Sequence, residues 1–155
     1  MKFKKYTPTN ISTFSKSQLS ASLDLHAKNS SSQINYPESD EMSRYLQEMG
    51  KKYEAKFGEI LQAKNLDVCH LKGEISEKSY ENTLLTLNKA HDFVSQVFLN
   101  SKKLYGVADY LMKVSSKSDL GNFSYEPVEI KLATFEKPSY ILQSIAYCEL
   151  LNNVL

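Results

Sequence analysis

An excess of positive or negative charge is missing from this chain. Lysine and arginine number 19 against 18 aspartates and glutamates, a formal net charge of +1. There is thus no global basic field of the kind that advertises nucleic-acid binding, and any such binding would have to depend on a local groove. Cysteine is nearly missing too. Cys69 and Cys148 make no disulfide framework, so the expected compartment is reducing and cytoplasmic. No apolar run approaches the length of a membrane span, and no membrane partner is expected. The basic start MKFKKYTPTN leads into polar residues and lacks the apolar stretch of a secretory signal. Internal repeats and low-complexity tracts are absent from the sequence. What remains is an ordinary globular composition, and 155 residues suit one domain with a modest core.

The chain opens with a Ser/Thr/Lys-rich segment, in which Ser15 to Lys28 reads as a short helix. A linker-like stretch, NSSSQINYPESD, follows it, so residues 1–38 are expected to stand apart from a domain spanning 39–155. Ser39 is placed to cap a long helix. Along that helix Met42, Tyr45, Leu46, Met49, Tyr53, Phe57, Ile60 and Leu61 recur three and four apart, which predicts one buried stripe. Gly50 inside it hints at close packing or a bend. Leu66 to Lys72 reads as a short strand and Ser76 to His91 as a second helix. Asp92 to Leu99 and Lys103 to Val114 read as strands rich in β-branched and aromatic residues. SSKSDLGN has turn chemistry, Ser124 to Ala133 reads as the next strand, and a last helix runs from Ser139 towards Asn153. This order of helix, strands and helix predicts an α+β or mixed α/β domain. Pro127 fits that last strand if its ladder begins at Val128.

The Ser124 to Ala133 strand raises a chemical question. Glu129 and Lys131 share one of its faces, opposite Val128, Ile130 and Leu132. A hairpin centred on Asp119 sets Asp109 across from Glu129, whereas a centre at Leu120 sets Asp109 across from Lys131. Opposed carboxylates about 5 Å apart destabilise a sheet unless a cation lies between them. A hard divalent ion such as Mg²⁺ or Mn²⁺ meets that need. Lys131 would then sit where it could orient a water or offset negative charge on a substrate. On the last helix Gln143 and Tyr147 are four apart and share a face. Packed beside Glu129, that face could point at a bound phosphate backbone.

Together, Asp109, the EIK of Glu129 to Lys131, and Gln143 with Tyr147 resemble the pattern of the PD-(D/E)XK nucleases. They are similar in particular to the RecB-like branch with its Gln-x-x-x-Tyr motif. GVADYLMKV, YEPVEIKLA and YILQSIAYCELL resemble the stretches that carry these motifs in RecB-family nucleases. The likeness covers roughly Met42 to Asn153. It implies a restriction-endonuclease-like core, a mixed sheet flanked by helices, and Mg²⁺- or Mn²⁺-dependent cleavage of DNA, perhaps from an end. By the resemblance, Glu54, Asp109 and Glu129 surround the metal and the carbonyl of Ile130 completes the protein ligands. Lys131 positions or activates water, and Gln143 and Tyr147 contact DNA.

Three departures temper what the resemblance implies. Tyr53 stands where many relatives carry histidine, and a neutral phenol is a poorer ligand than imidazole. Two cysteines cannot supply the four thiolates of the iron–sulfur centre found in some relatives, so none is expected. The family core normally continues with a further strand after the Gln-Tyr helix, which this chain does not reach. These departures keep open a second expectation, a non-catalytic or fragmentary module that binds nucleic acid or a partner protein. They also make further subunits or domains of a nuclease complex plausible partners. His26, His70 and His91 show no ligand spacing and read as structural or exposed. Cys148 reads as a small buried apolar residue.

Overall fold

A computed structural model describes residues 5–29, 38 and 40–154. Among these, helices α1 (Pro8–Lys16), α2 (Gln18–Asn29) and α3 (Glu41–Ala63) precede strand β1 (Val68–His70). Helix α4 (Glu77–Leu87) leads to the strands β2 (Phe93–Asn100), β3 (Tyr105–Val114) and β4 (Ser124–Val128), and α5 (Pro138–Leu151) closes the order. The four strands form one mixed sheet in the order β1-β2-β3-β4. Strand β1 runs parallel to β2, whereas β2, β3 and β4 form an antiparallel meander. The domain is α+β, a mixed sheet flanked by helices.

Two apolar clusters hold the layers together. On one face Leu61 of α3 packs with Phe93 and Tyr110, joined by Phe57, Val68, Met112, Val128 and Ile130. Phe57 meets Tyr110 edge-on with ring centroids 5.1 Å apart. The larger cluster joins Leu87 of α4 and Tyr147, Leu150 and Leu151 of α5 to Val94, Val97, Leu99, Ala108, Leu111 and Tyr125 of the sheet.

The sheet carries an irregularity that decides where its polar residues go. Tyr110 faces α3, its hydroxyl donating to the carbonyl of Glu54 at 3.3 Å. A Cβ on Gly106 would instead point at Tyr147 of α5, 3.1 Å away. Positions 106 and 110 are an even number apart and should share a face. Likewise Val94 and Val97, an odd number apart, join one cluster. The phase of the alternation therefore shifts between them. Ser95 pairs with Tyr110 and Val97 with Ala108, but the intervening rung, Gln96 and Asp109, forms no pair. Gln96 there has φ +54°, a left-handed conformation that a non-glycine residue holds only where surrounding structure enforces it.

Several sequence expectations change. The first helix is two, α1 and α2, broken at the extended Ser17. Thr7 caps α1 by accepting from the Asn10 amide, and Pro8 holds its first turn. The segment is not detached: Tyr6 bridges to Leu104, and the side chain of Pro8 lies close against Gly106 of β3. Asp40 caps α3 by accepting from the Ser43 amide at 2.6 Å. Ser39 and nearly all of the linker lie outside the described residues.

The stripe on α3 is covered only at Phe57 and Leu61, and Ile60 beside them is 45% exposed. Met42, Tyr45, Leu46 and Tyr53 are exposed, because the sheet meets the helix only around Phe57 and Leu61. Gly50 has open space around it, and the closely packed glycine is Gly58, whose Cβ would lie 2.9 Å from the Tyr110 hydroxyl. Cys148 is exposed, not buried, since α5 turns Tyr147 and Leu151 inward instead. No described helix is long and apolar enough to cross a membrane.

Strand β4 stops at Val128, five residues short of the expected Ala133. The next amide facing β3, that of Ile130, donates to the carboxylate of Asp109 at 2.9 Å and not to a main-chain carbonyl. Beyond it the chain turns, with the Ala133 amide bonded to the Lys131 carbonyl. Pro127 sits inside the ladder opposite Leu111, contrary to a ladder starting at Val128. It is tolerated because β4 is an edge strand.

Candidate functional site

The meander brings Asp109, Glu129 and Lys131 together. The register pairs Tyr110 with Val128, a hairpin centred on Asp119. Carried one step on, it puts Asp109 across from Glu129, just past the end of the ladder. Lys131 Nζ donates to Glu129 Oε2 at 2.7 Å and lies 4.0 Å from Asp109 Oδ2. The Glu129 side chain is only 6% exposed, while Lys131 and Asp109 each keep about a quarter of theirs in solvent, at 29% and 24%. A lone ammonium thus bridges two acids at the edge of a cleft. The second oxygen of Glu129, Oε1, is buried with no hydrogen-bond partner. An unsatisfied buried carboxylate oxygen is costly and calls for a ligand or a proton.

Glu54 of α3 is the third acid. Gln96 Nε2 donates to its Oε1, so the left-handed residue at the unpaired rung is also the one that holds the helix carboxylate. Burial raises the pKa of Glu54 first of all; the Gln96 bond opposes this, the charge of Asp109 adds to it and Lys131 lowers it. Burial likewise raises Glu129, followed by the negative charge of Asp109, with Lys131 pulling the other way. These mutual influences place the three acids in one electrostatic neighbourhood.

An ion of the Mg²⁺ or Mn²⁺ type is suited in kind, since every donor here is a carboxylate or carbonyl oxygen. The orphaned Glu129 Oε1 offers a free lone pair for it. In number the fit is smaller than expected: among the described residues, no three His, Cys, Asp or Glu side chains converge closely enough to hold a metal ion. Asp109 and Glu129 are the pair that would carry one, with Glu54 standing off against Gln96. The Ile130 amide is committed to Asp109, and its side chain packs in the α3 cluster. Tyr53, beside Glu54, is 49% exposed.

On α5, Tyr147 is buried and donates to the carbonyl of Val107 at 2.6 Å. Its pKa is driven upward by burial and then by the charges of Glu129 and Asp109, with Gln143 pulling the other way. Tyr147 therefore fixes the backbone two residues before Asp109, with its ring turned into the core. Gln143 is half-buried beside it.

Three features escaped the sequence reading. Gln96 had one available signal, a long amide in the middle of the apolar run FVSQVFL. The second is a cavity of about 510 Å³ on the α3 side of Gln96, lined by Glu54, His70, Ser95 and Tyr110 among others. Within it His70 Nδ1 lies 2.7 Å from Ser95 Oγ. His91 is paired with Asp67 at 2.7 Å, so these two histidines serve local structure. The third is a cavity of about 500 Å³ that opens beside Glu129 and Lys131 and reaches Phe135 and Tyr140.

The chain was compared with models of protein families, with curated proteins and with solved structures, and it matches none of them.

Proposed function

We propose that this chain is a metal-dependent nuclease that hydrolyses phosphodiester bonds of DNA in the manner of an exonuclease, akin to the RecB-like PD-(D/E)XK enzymes. The observation that carries this reading is the Lys131 ammonium held between two carboxylates, one of them buried with an unpartnered oxygen. Such an arrangement is costly for stability alone, because it leaves a buried carboxylate oxygen without a partner. A chemical task accounts for it better.

In this reading Asp109 and Glu129 hold Mg²⁺ or Mn²⁺ with the carbonyl of Ile130, and Glu54 completes the acidic wall. When bound, the ion would supply Lewis acidity, polarising a phosphoryl oxygen and acidifying the attacking water. Lys131, relieved of its bond to Glu129, turns its ammonium to that water or to the charge growing on the phosphoryl group. Gln143 contacts the backbone of the substrate, while Tyr147 is a positioning residue that fixes β3 through Val107. A cytoplasmic location, with DNA and further subunits of a nuclease complex as partners, belongs to the same reading.

The lack of a three-ligand group among the described residues favours a second reading, a non-catalytic nuclease-like module that binds nucleic acid or a partner protein. Purified protein incubated with linear and circular DNA, with Mn²⁺, Mg²⁺ or chelator, separates the two. The first reading expects divalent-dependent loss of linear DNA, lowered at least about 100-fold by Asp109→Asn or Lys131→Ala, the scale of a lost acid–base or charge-stabilising group. Inactivity on every substrate and metal combination, from protein shown to be folded, would overturn the first and favour the second.

A further inference from the structure

We propose that the exposed stripe of α3 is the interface of a two-fold dimer, in which the helix packs antiparallel against α3 of a second copy. This surface is separate from the acidic neighbourhood and does not depend on the function read from it. The stripe consists of Met42, Tyr45, Leu46, Met49, Tyr53 and Ile60. At about 100° per residue these side chains all leave the helix within about 60° of the direction of Met42. Leu61, which meets the sheet, leaves it about 100° away. The stripe is thus a second face, turned aside from the one that docks α3. Met42, Tyr45, Leu46, Tyr53 and Ile60 are each at least 45% exposed. Neither they nor Met49 belong to either apolar cluster of the described residues. A single exposed apolar side chain is ordinary, whereas a run of them along about five helical turns marks an interface.

The charges beside the stripe choose its occupant. On the rim away from the sheet, Glu41 and Glu48 stand in the first half of α3, and Lys52 and Lys56 follow in the second; all four are exposed. A helix with this polarity complements itself when reversed. A two-fold axis through Met49 sets Met49 against itself, Tyr45 against Tyr53 and Met42 against Lys56. It brings Lys56 within one residue of Glu41 of the second copy, and Lys52 within two residues of Glu48. A parallel pair would stack Glu41, Lys52 and Lys56 each on its own copy, so the charges select the antiparallel one. Such a self-complementary patch is what an isologous two-fold contact requires. Glu59, a further acid on this rim, falls beyond the start of the helix of the second copy, and Arg44 and Lys51 point to the opposite side. Gly50 and Glu54 leave the helix about 80° and 120° from Met42, towards the sheet. An alanine at Gly50 therefore stays out of the seam, and pairing leaves the acidic neighbourhood uncovered.

The test is sedimentation equilibrium of the full chain over about a hundredfold range of micromolar concentration. The mean mass should climb from 17.7 kDa towards twice that value. Met49→Lys sets two ammoniums face to face at the axis and should weaken association at least about 100-fold, since the two-fold counts each change twice. Lys56→Glu meets Glu41 of the second copy with a like charge and should weaken association about tenfold. Adding Glu41→Lys to that variant should restore it. Circular dichroism at the lowest concentration should show wild-type helix content in every variant. Should Met49→Lys lose its fold, Leu46→Gln takes its place, with an expected weakening of about tenfold. A monomer at every concentration overturns the proposal and leaves the face to another partner or to the chain preceding α3. A dimer that Met49→Lys and Leu46→Gln both leave intact overturns it too, because its interface then lies elsewhere. Wild-type or tighter association in Lys56→Glu overturns the antiparallel pairing.

Discussion

Glu54, half-buried, and Glu129, with its side chain nearly inaccessible, are carboxylates of one neighbourhood, yet they are held by different kinds of partner. Glu129 ends a hairpin and meets an ammonium, Lys131, two residues along its own chain. Glu54 projects from a helix and meets a neutral amide, Gln96, which the sheet presents through an irregular rung. A charge partner compensates a buried acid strongly and matters most when it is removed. An amide compensates weakly but keeps the acid in a fixed direction. The hairpin acid is thus the electrostatic centre of the molecule, and the helix acid depends on how α3 docks.

Removing the ammonium should break this contrast hardest. Breaking a fully buried pair costs about 3–5 kcal/mol. With Lys131 29% exposed, solvent screening reduces the expectation for Lys131→Met to about 2 kcal/mol. Urea unfolding in chelator measures it, and Glu129→Gln in the same chain should recover much of the loss. A change near zero for Lys131→Met would mean that Glu129 carries no charge there. Gln96→Ala, the corresponding removal at Glu54, should cost less than half as much.

The docking of α3 is tested by its two glycines, with opposite signs. Gly58→Ala drives a Cβ to 2.9 Å from the Tyr110 hydroxyl and should destabilise by about 1–2 kcal/mol through overpacking. Tyr110→Phe should relieve most of that by deleting the oxygen. Gly50→Ala meets nothing within 4 Å and should stabilise by about 0.5–1 kcal/mol from helix propensity. A loss at Gly50 would mean that this half of α3 packs against something in solution.

Tyr147→Phe removes the bond to the Val107 carbonyl and should cost about 1 kcal/mol. If Tyr147 is a positioning residue, the variant should lower cleavage while leaving oligonucleotide affinity nearly unaltered.

The smallest effect is on the pH dependence of stability. Both acids are raised from 4.5 in the folded chain, first by burial. Above that pH the folded form keeps protons that the unfolded form has released, so stability should fall as pH rises through each folded pKa. Glu129→Gln should flatten that decline more than Glu54→Gln, because the Glu129 side chain is nearly inaccessible. Unfolding free energies measured in chelator from pH 4 to 7 give the comparison, and an equal effect of the two variants would erase the distinction drawn between them.

Much of the scaffold was legible because local rules dominate it. The turn residues around Asp119 placed the hairpin to within one residue, and of the two centres the sequence allowed the structure takes the one that opposes Asp109 and Glu129. Spacing put Gln143 and Tyr147 on one helical face, and α5 carries them there as a half-buried amide and a buried ring. Other features were not legible. The α3 stripe is equally periodic along its length, and nothing in Met42, Tyr45 or Leu46 says that the sheet ends before reaching them. Strand propensity continues through Ile130 and Leu132, but a side-chain carboxylate from another strand takes the amide the ladder needed.

Sequence alone therefore determined which residues alternate, which share a helix face and where the chain turns, since these follow from backbone geometry over a few neighbouring residues. Only the tertiary structure decided that Glu54 meets Gln96, that Lys131 lies between two acids, and that Tyr147 is turned inward onto Val107. Those contacts join residues far apart in the chain. They depend on how layers dock and on where the sheet slips out of phase, quantities that no short window of sequence contains.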